Sequence, residues 1–155
     1  MATPKSTPDN TLRVQRIIQA PREKVFDAWA RPEKFQQWFQ PKTDPPSCRF
    51  LVQDIREGGR YRFQANAPDG VRYDVFGTYR EVRPSEKLVF TWNWVSDLDF
   101  GETLVSIEFR AYGNATEISL THDFFPDLAI LKRHESGWKG CLDRVTEFLR
   151  AGAAG

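Results

Sequence analysis

The chain has 155 residues, enough for one domain burying roughly 70% of its unfolded surface, and its 40% hydrophobic and 28% charged residues are ordinary globular usage. A formal charge of +1, with Lys and Arg scattered rather than blocked, supplies no electrostatic footprint for nucleic acid or an anionic bilayer, and no apolar run approaches the ~20 residues that span a membrane. Cys48 and Cys141 are too few and too far apart in sequence for a disulfide scaffold or a metal knuckle, so the chain reads as cytoplasmic with reduced thiols.

Residues 1–10 (MATPKSTPDN) carry no periodic apolar pattern and read as a disordered leader, and residues 151–155 as a frayed tail, leaving one domain over 11–150. Residues 12–20 mix β-branched and polar side chains in near alternation, which predicts a strand. Pro21 stops it and suits the first position of a helix, where a missing N–H does no harm, and Val25, Phe26 and Trp29 share one face of that helix. Pro32 repeats the device, and Phe35, Trp38 and Phe39 fall at i, i+3, i+4 over a second short helix. A Pro-rich loop over 40–47 follows.

From Cys48 onward the period is two. Cys48, Phe50 and Val52 alternate with Arg49 and Gln53, Gly58-Gly59 supplies a hairpin turn, and Tyr61, Phe63 and Ala65 face opposite Arg60, Arg62 and Gln64. Asp69-Gly70 marks the next turn into a long strand over 71–82, whose phase stays open and in which Gly77 is expected at a bulge or bend. Leu88, Phe90, Trp92 and Trp94 line one face of the following strand. Thr103, Val105, Ile107 and Phe109 line the next, and Thr116, Ile118, Leu120 and His122 line the last, after a Gly113-Asn114 turn. Consecutive hairpins make the sheet antiparallel. The final segment returns to a period near 3.6: Leu128, Leu131, His134 or Glu135, Trp138, Cys141, Leu142, Val145, Phe148 and Leu149 trace one face, with Asp127 as N-cap. Gly137 and Gly140 within that helix imply close packing or a kink.

The order β-α-α followed by six strands and a long helix is an α+β arrangement. Several stretches stand in an order that resembles a known superfamily: APREKVFDAW at 20–29, the helix at 32–38, DIREGGR at 54–60, GTYREV at 77–82, PSEKLVFTW at 84–92 and HESGW at 134–138. They resemble the SRPBCC superfamily (START-like, birch-pollen-allergen-like) and, within it, homologues of the activator of heat-shock protein 90 ATPase. The resemblance implies a helix-grip fold, in which about seven antiparallel strands curl around the C-terminal helix and enclose a cavity that in relatives takes hydrophobic small molecules. It implies no universal catalytic set and no cofactor.

The candidate cavity residues are Trp38, Phe63, Phe90, Trp92, Trp94, Phe109 and Trp138, because rigid rings give large apolar contact and an indole adds one donor; some of them are expected to be core. His122 and His134 join them from predicted inward faces. Asp123, next to His122 on a strand, points to the opposite face, and no HExxH or CxxC spacing is present, so both histidines are expected at the cavity edge as hydrogen-bonding groups rather than as metal ligands or catalysts. Arg60, Arg62 and Arg72 read as a solvated outer face, and Asp97, Asp99 and Glu102 as an acidic turn. The expected function is a non-enzymatic module that sequesters or senses an apolar or aromatic small molecule, as a monomer or homodimer. The alternatives are a co-chaperone acting on a heat-shock protein 90 ATPase, and a cyclase- or hydrolase-like enzyme using a cavity histidine.

Overall fold

The computed structural model describes residues 11–39, 48–66, 72–95 and 101–154. The expected leader, the loop 40–47, the turn at Asp69-Gly70 and the residues Asp97 and Asp99 lie outside these. The elements are β1 (Leu12–Ile18), α1 (Arg22–Ala30), α2 (Pro32–Trp38), β2 (Arg49–Gln53), β3 (Arg60–Asn66), β4 (Arg72–Arg83), β5 (Lys87–Trp94), β6 (Thr103–Tyr112), β7 (Ala115–Asp123) and α3 (Leu128–Ala154). All strand pairs are antiparallel, in the order β1-β7-β6-β5-β4-β3-β2. The first two strands thus stand at opposite edges, and α1 and α2 carry the chain from one edge to the other.

Proline chemistry sets those helices. Pro21 is extended (φ −69°, ψ 156°) and stands just outside α1 rather than opening it, and its carbonyl accepts the Val25 N–H at 3.1 Å. Arg31 is extended because the following proline disfavours helical geometry, which separates α1 from α2, and Pro32 then opens α2 as expected. Asp127 caps α3 through Oδ1, which accepts the Ile130 N–H at 2.9 Å. The helix continues past Arg150 to Ala154. Leu128, placed on its inward face by periodicity, is the first residue of α3 and is 55% exposed.

Two strands depart from simple alternation. Leu51 is an extra residue in β2: the register against β3 slips between Phe50 and Val52. The slip turns Val52, expected inward, out to solvent, leaving Leu51 and Val52 exposed side by side. In β4 the inward series is Tyr73, Val75, Gly77 and Tyr79, and the register shift against β5 falls between Tyr79 and Glu81, not at Gly77. Gly77 has another cause. A Cβ there would lie 2.1 Å from the Thr91 carbonyl oxygen on β5. The Tyr61 side chain, paired opposite Gly77 on β3, reaches across that gap, and its hydroxyl donates to the same carbonyl.

The core lies between the sheet and the three helices. Phe26 of α1 meets Phe109 of β6 edge-on at 5.4 Å, and Trp29 meets Trp138 of α3 at 6.2 Å. Arg144 of α3 ties down the end of α2, donating through Nε and Nη2 to the Phe39 carbonyl at 3.0 and 2.7 Å. Gly137 and Gly140 show no enforced close approach to another backbone: a Cβ at Gly137 would meet only the Tyr73 hydroxyl, at 3.7 Å, and one at Gly140 the Arg144 guanidinium at 3.2 Å.

Candidate functional site

Where β2, β3, β4 and β5 face α1, α2 and α3, ten residues line a cavity of about 20 Å³: Trp29, Phe35, Phe50, Tyr61, Phe63, Tyr79, Leu88, Phe90, Trp92 and Trp138. That is room for about one water molecule. Trp92 lies 5.1 Å from Trp138 and 5.9 Å from Phe63, centroid to centroid, and Phe35 lies 5.4 Å from Phe63. Four of the expected residues, Phe63, Phe90, Trp92 and Trp138, therefore line the cavity. The other five do not. Trp38 packs behind Trp29 and Phe35, Phe109 packs against Phe26, and Trp94, His122 and His134 form an adjoining cluster with Phe125.

The lining residues missed from sequence are Trp29, Phe35, Phe50, Tyr61, Tyr79 and Leu88. Trp29 and Phe35 sat on recognised helix faces, and Phe50, Tyr61 and Leu88 on recognised inward strand faces, so their inwardness was visible but not their convergence. Tyr79 was hidden by the unresolved phase of β4.

The five indole N–H groups fall into two classes. Trp38 donates to the Ala28 carbonyl at 2.7 Å, Trp94 to Nε2 of His134 at 3.1 Å and Trp138 to Nδ1 of His122 at 3.0 Å. Trp29 and Trp92 have no acceptor among the described residues, although both Nε1 atoms are buried and both rings line the cavity.

An indole only donates, and this fixes the histidines. Nδ1 of His122 accepts from Trp138, so its proton sits on Nε2 and is donated to Thr103 Oγ1 at 2.7 Å; the threonine hydroxyl donates in turn to the Trp92 carbonyl at 3.1 Å. His134 has the opposite tautomer: Nε2 accepts from Trp94, and Nδ1 donates to the Ile130 carbonyl at 2.9 Å. Both rings are neutral. Burial holds His122 well below the ordinary histidine range, with His134 adding to the effect. Burial also lowers His134, partly offset by the Ile130 hydrogen bond. The Tyr61 hydroxyl, donated to Thr91, is pushed up by burial, as is Tyr79, to about 12.

The outer face is ionic. Arg62 forms a forked pair with Asp74, Nε to Oδ1 at 3.0 Å and Nη2 to Oδ2 at 2.9 Å, which holds the Asp74 carboxyl below its usual range. Glu102 pairs with Arg80 at 3.6 Å. Among the described residues, no group of three or more His, Cys, Asp or Glu side chains is placed to hold a metal ion. Cys48 and Cys141 are free and buried, and burial pushes their thiols to about 12 and about 11.

The family model described as activator of Hsp90 ATPase homolog 1-like protein matches residues 19–150. The chain belongs to that family. Its fold recurs in solved structures: protein CV1439 of Chromobacterium violaceum is 25% identical, with a TM-score of 0.77 over 89% of this chain and 95% of that one. A protein of Arthrobacter aurescens is 16% identical, with a TM-score of 0.77 over 95% and 90%. CalU16 of Micromonospora echinospora is 20% identical, with a TM-score of 0.72 over 94% and 81%. Comparison with curated proteins finds no match. The helix-grip architecture implied by the sequence resemblance is thus the one this member of the activator-homologue family adopts, and none of its described helices is long and apolar enough to cross a membrane.

Proposed function

We propose that this activator-homologue chain is a non-enzymatic module that takes up an apolar or aromatic small molecule between β3–β5 and the three helices. The observation that carries this is the pair of buried indole donors, Trp29 and Trp92, which have no acceptor among the described residues and whose rings line the cavity. A buried donor left unpaired costs about 1–3 kcal/mol, which a guest with an acceptor relieves. Nine of the ten lining residues are aromatic, the chemistry that grips a flat apolar molecule. Phe63, Phe90, Trp92 and Trp138 contact the guest, while Trp38, Trp94, Phe109, His122 and His134 support the wall from behind.

A ring of benzene's size needs a cavity of roughly 150 Å³, so the wall must yield on uptake. Its least secured part is β2, a bulged edge strand that contributes the half-buried Phe50. Glutamine side chains latch β2 to its neighbours: Gln36 Oε1 accepts the Phe50 N–H at 2.9 Å, and Gln53 Nε2 donates to the Ala30 carbonyl at 3.3 Å and the Tyr79 hydroxyl at 3.2 Å. Releasing these moves Phe50 without dismantling the central strands.

The neutral histidines argue against acid–base catalysis, since all four ring nitrogens are engaged in structural hydrogen bonds. The two free, buried cysteines support a cytoplasmic location. A thermal-shift and native mass-spectrometry screen against apolar aromatic compounds tests the proposal. At a hundredfold excess over Kd, a true ligand stabilises by about 2.7 kcal/mol and raises Tm by several degrees. No shift and no mass adduct with any compound refutes binding, and turnover of a bound compound refutes the non-enzymatic part. The family match favours a second reading, in which the chain modulates the ATPase of a heat-shock protein 90 homologue. An unchanged ATPase rate at saturating chain removes it.

A further inference from the structure

Resting on the binding reading above, the polar inventory of the cavity wall says what chemistry the guest carries. We infer that the guest is an uncharged aromatic molecule bearing at least one hydrogen-bond acceptor, such as a ring ketone, and that Nε1 of Trp29 or Trp92 reads that acceptor.

The wall's polar groups sort cleanly. The Trp138 N–H is held by His122, the Tyr61 O–H by the Thr91 carbonyl, and the Tyr79 hydroxyl receives the Gln53 amide. Trp29 and Trp92 Nε1 have no partner among the described residues, and both are donors, as is the hydroxyl proton of Tyr79, whose oxygen accepts from Gln53. None of the ten lining side chains is charged. A carboxylate or phosphate would enter without a cation to meet it, and an ammonium without an anion, each a heavy desolvation penalty in a ring-lined space. A plain hydrocarbon enters without charge penalty but leaves both donors unpaired. A neutral carbonyl on the same skeleton pairs at least one. The expected order of affinity is ketone over hydrocarbon over either ion.

The matched probes are 1-indanone, indane, indane-1-carboxylate and 1-aminoindane, titrated by isothermal calorimetry and by 1H–15N spectra of the indole groups. On wild-type protein, 1-indanone binds about tenfold tighter than indane, the typical worth of one satisfied buried donor, and both ionic probes bind weaker than indane. The ketone, and not the hydrocarbon, shifts the Nε1–H resonance of Trp29 or Trp92 downfield. In W29F/W92F the ratio of ketone to hydrocarbon affinity falls to about one, while indane binding is kept or improved by the freed volume. Equal affinity of indane and 1-indanone, or a bound ketone that moves neither resonance, overturns this inference and leaves the binding module standing. Failure of every probe to bind overturns both. The wild-type resonances decide the matter even if the double variant does not fold.

Discussion

The neutral, fully buried His122 makes stability depend on pH in a calculable way. In the unfolded chain a histidine protonates near pH 6.5, whereas in the folded chain burial holds His122 well below that value. Below pH 6.5 the unfolded state therefore binds the extra proton, so stability is complete above about 6.5 and is lost as pH falls toward the lowered folded value. A proton forced onto Nδ1 would set donor against donor at Trp138, which is the structural reason the folded ring stays neutral. With one proton at stake, the loss between pH 7.5 and 5.5 is about 1.4 kcal/mol. His134, lowered in the same direction, adds to it. Urea denaturation of wild type and His122→Asn at pH 7.5, 6.5 and 5.5 measures this. The variant offers an amide oxygen as an acceptor for Trp138 but cannot titrate. Wild type should lose about 1.4 kcal/mol more than the variant across that window. Identical pH dependence in the two proteins would show that His122 is not held neutral by the fold.

Further outcomes follow from particular contacts. Long-range 1H–15N spectra should show His122 protonated on Nε2 and His134 on Nδ1, and the same tautomer for both would break the hydrogen-bond assignment. Gly77→Ala should destabilise by about 2–3 kcal/mol in denaturant titration, because its Cβ meets the Thr91 backbone, whereas Gly137→Ala should stabilise by about 0.5–1 kcal/mol, having room and better helix propensity. Arg144→Met should lose about 1–2 kcal/mol, since it removes both donors to the Phe39 carbonyl. Gln36→Ala should speed hydrogen exchange at the Phe50 amide about tenfold while shifting global stability by at most about 1 kcal/mol, and unchanged exchange would show that this side chain does not latch β2.

Strands whose inward side chains keep strict alternation were legible from sequence, because a strand offers only two faces: Tyr61, Phe63 and Ala65 in β3, and Val105, Ile107 and Phe109 in β6, are all buried where alternation puts them. The misreadings arose where a backbone feature interrupts the period. In β2 the extra residue Leu51 turned Val52 outward. In β4 the inward series contains a glycine whose cause is the Thr91 carbonyl, fourteen residues further on. No local pattern encodes a contact of that kind, and the phase of β4, with Tyr79 at the cavity, stayed open for that reason.

The candidate site was legible as composition and not as chemistry. In sequence the five tryptophans are equivalent, and inwardness alone ranked Trp94 and Trp38 with Trp92 while overlooking Trp29. What separates them is whether the folded chain brings an acceptor to each indole, and for Trp94 that acceptor stands 40 residues away at His134. Three indoles are satisfied internally, two of them by the chain's only histidines, so this fold is capable of pairing a buried indole. Unpaired donors are therefore not a general consequence of packing tryptophan here. Both occur on rings that line one cavity, between three helices and the central strands, and the common location ties the unpaired state to the cavity rather than to strain spread through the core. His122 sharpens the contrast: it holds the Trp138 N–H and, through Thr103, the Trp92 backbone carbonyl, fixing two neighbouring rings while leaving the Trp92 side-chain donor open.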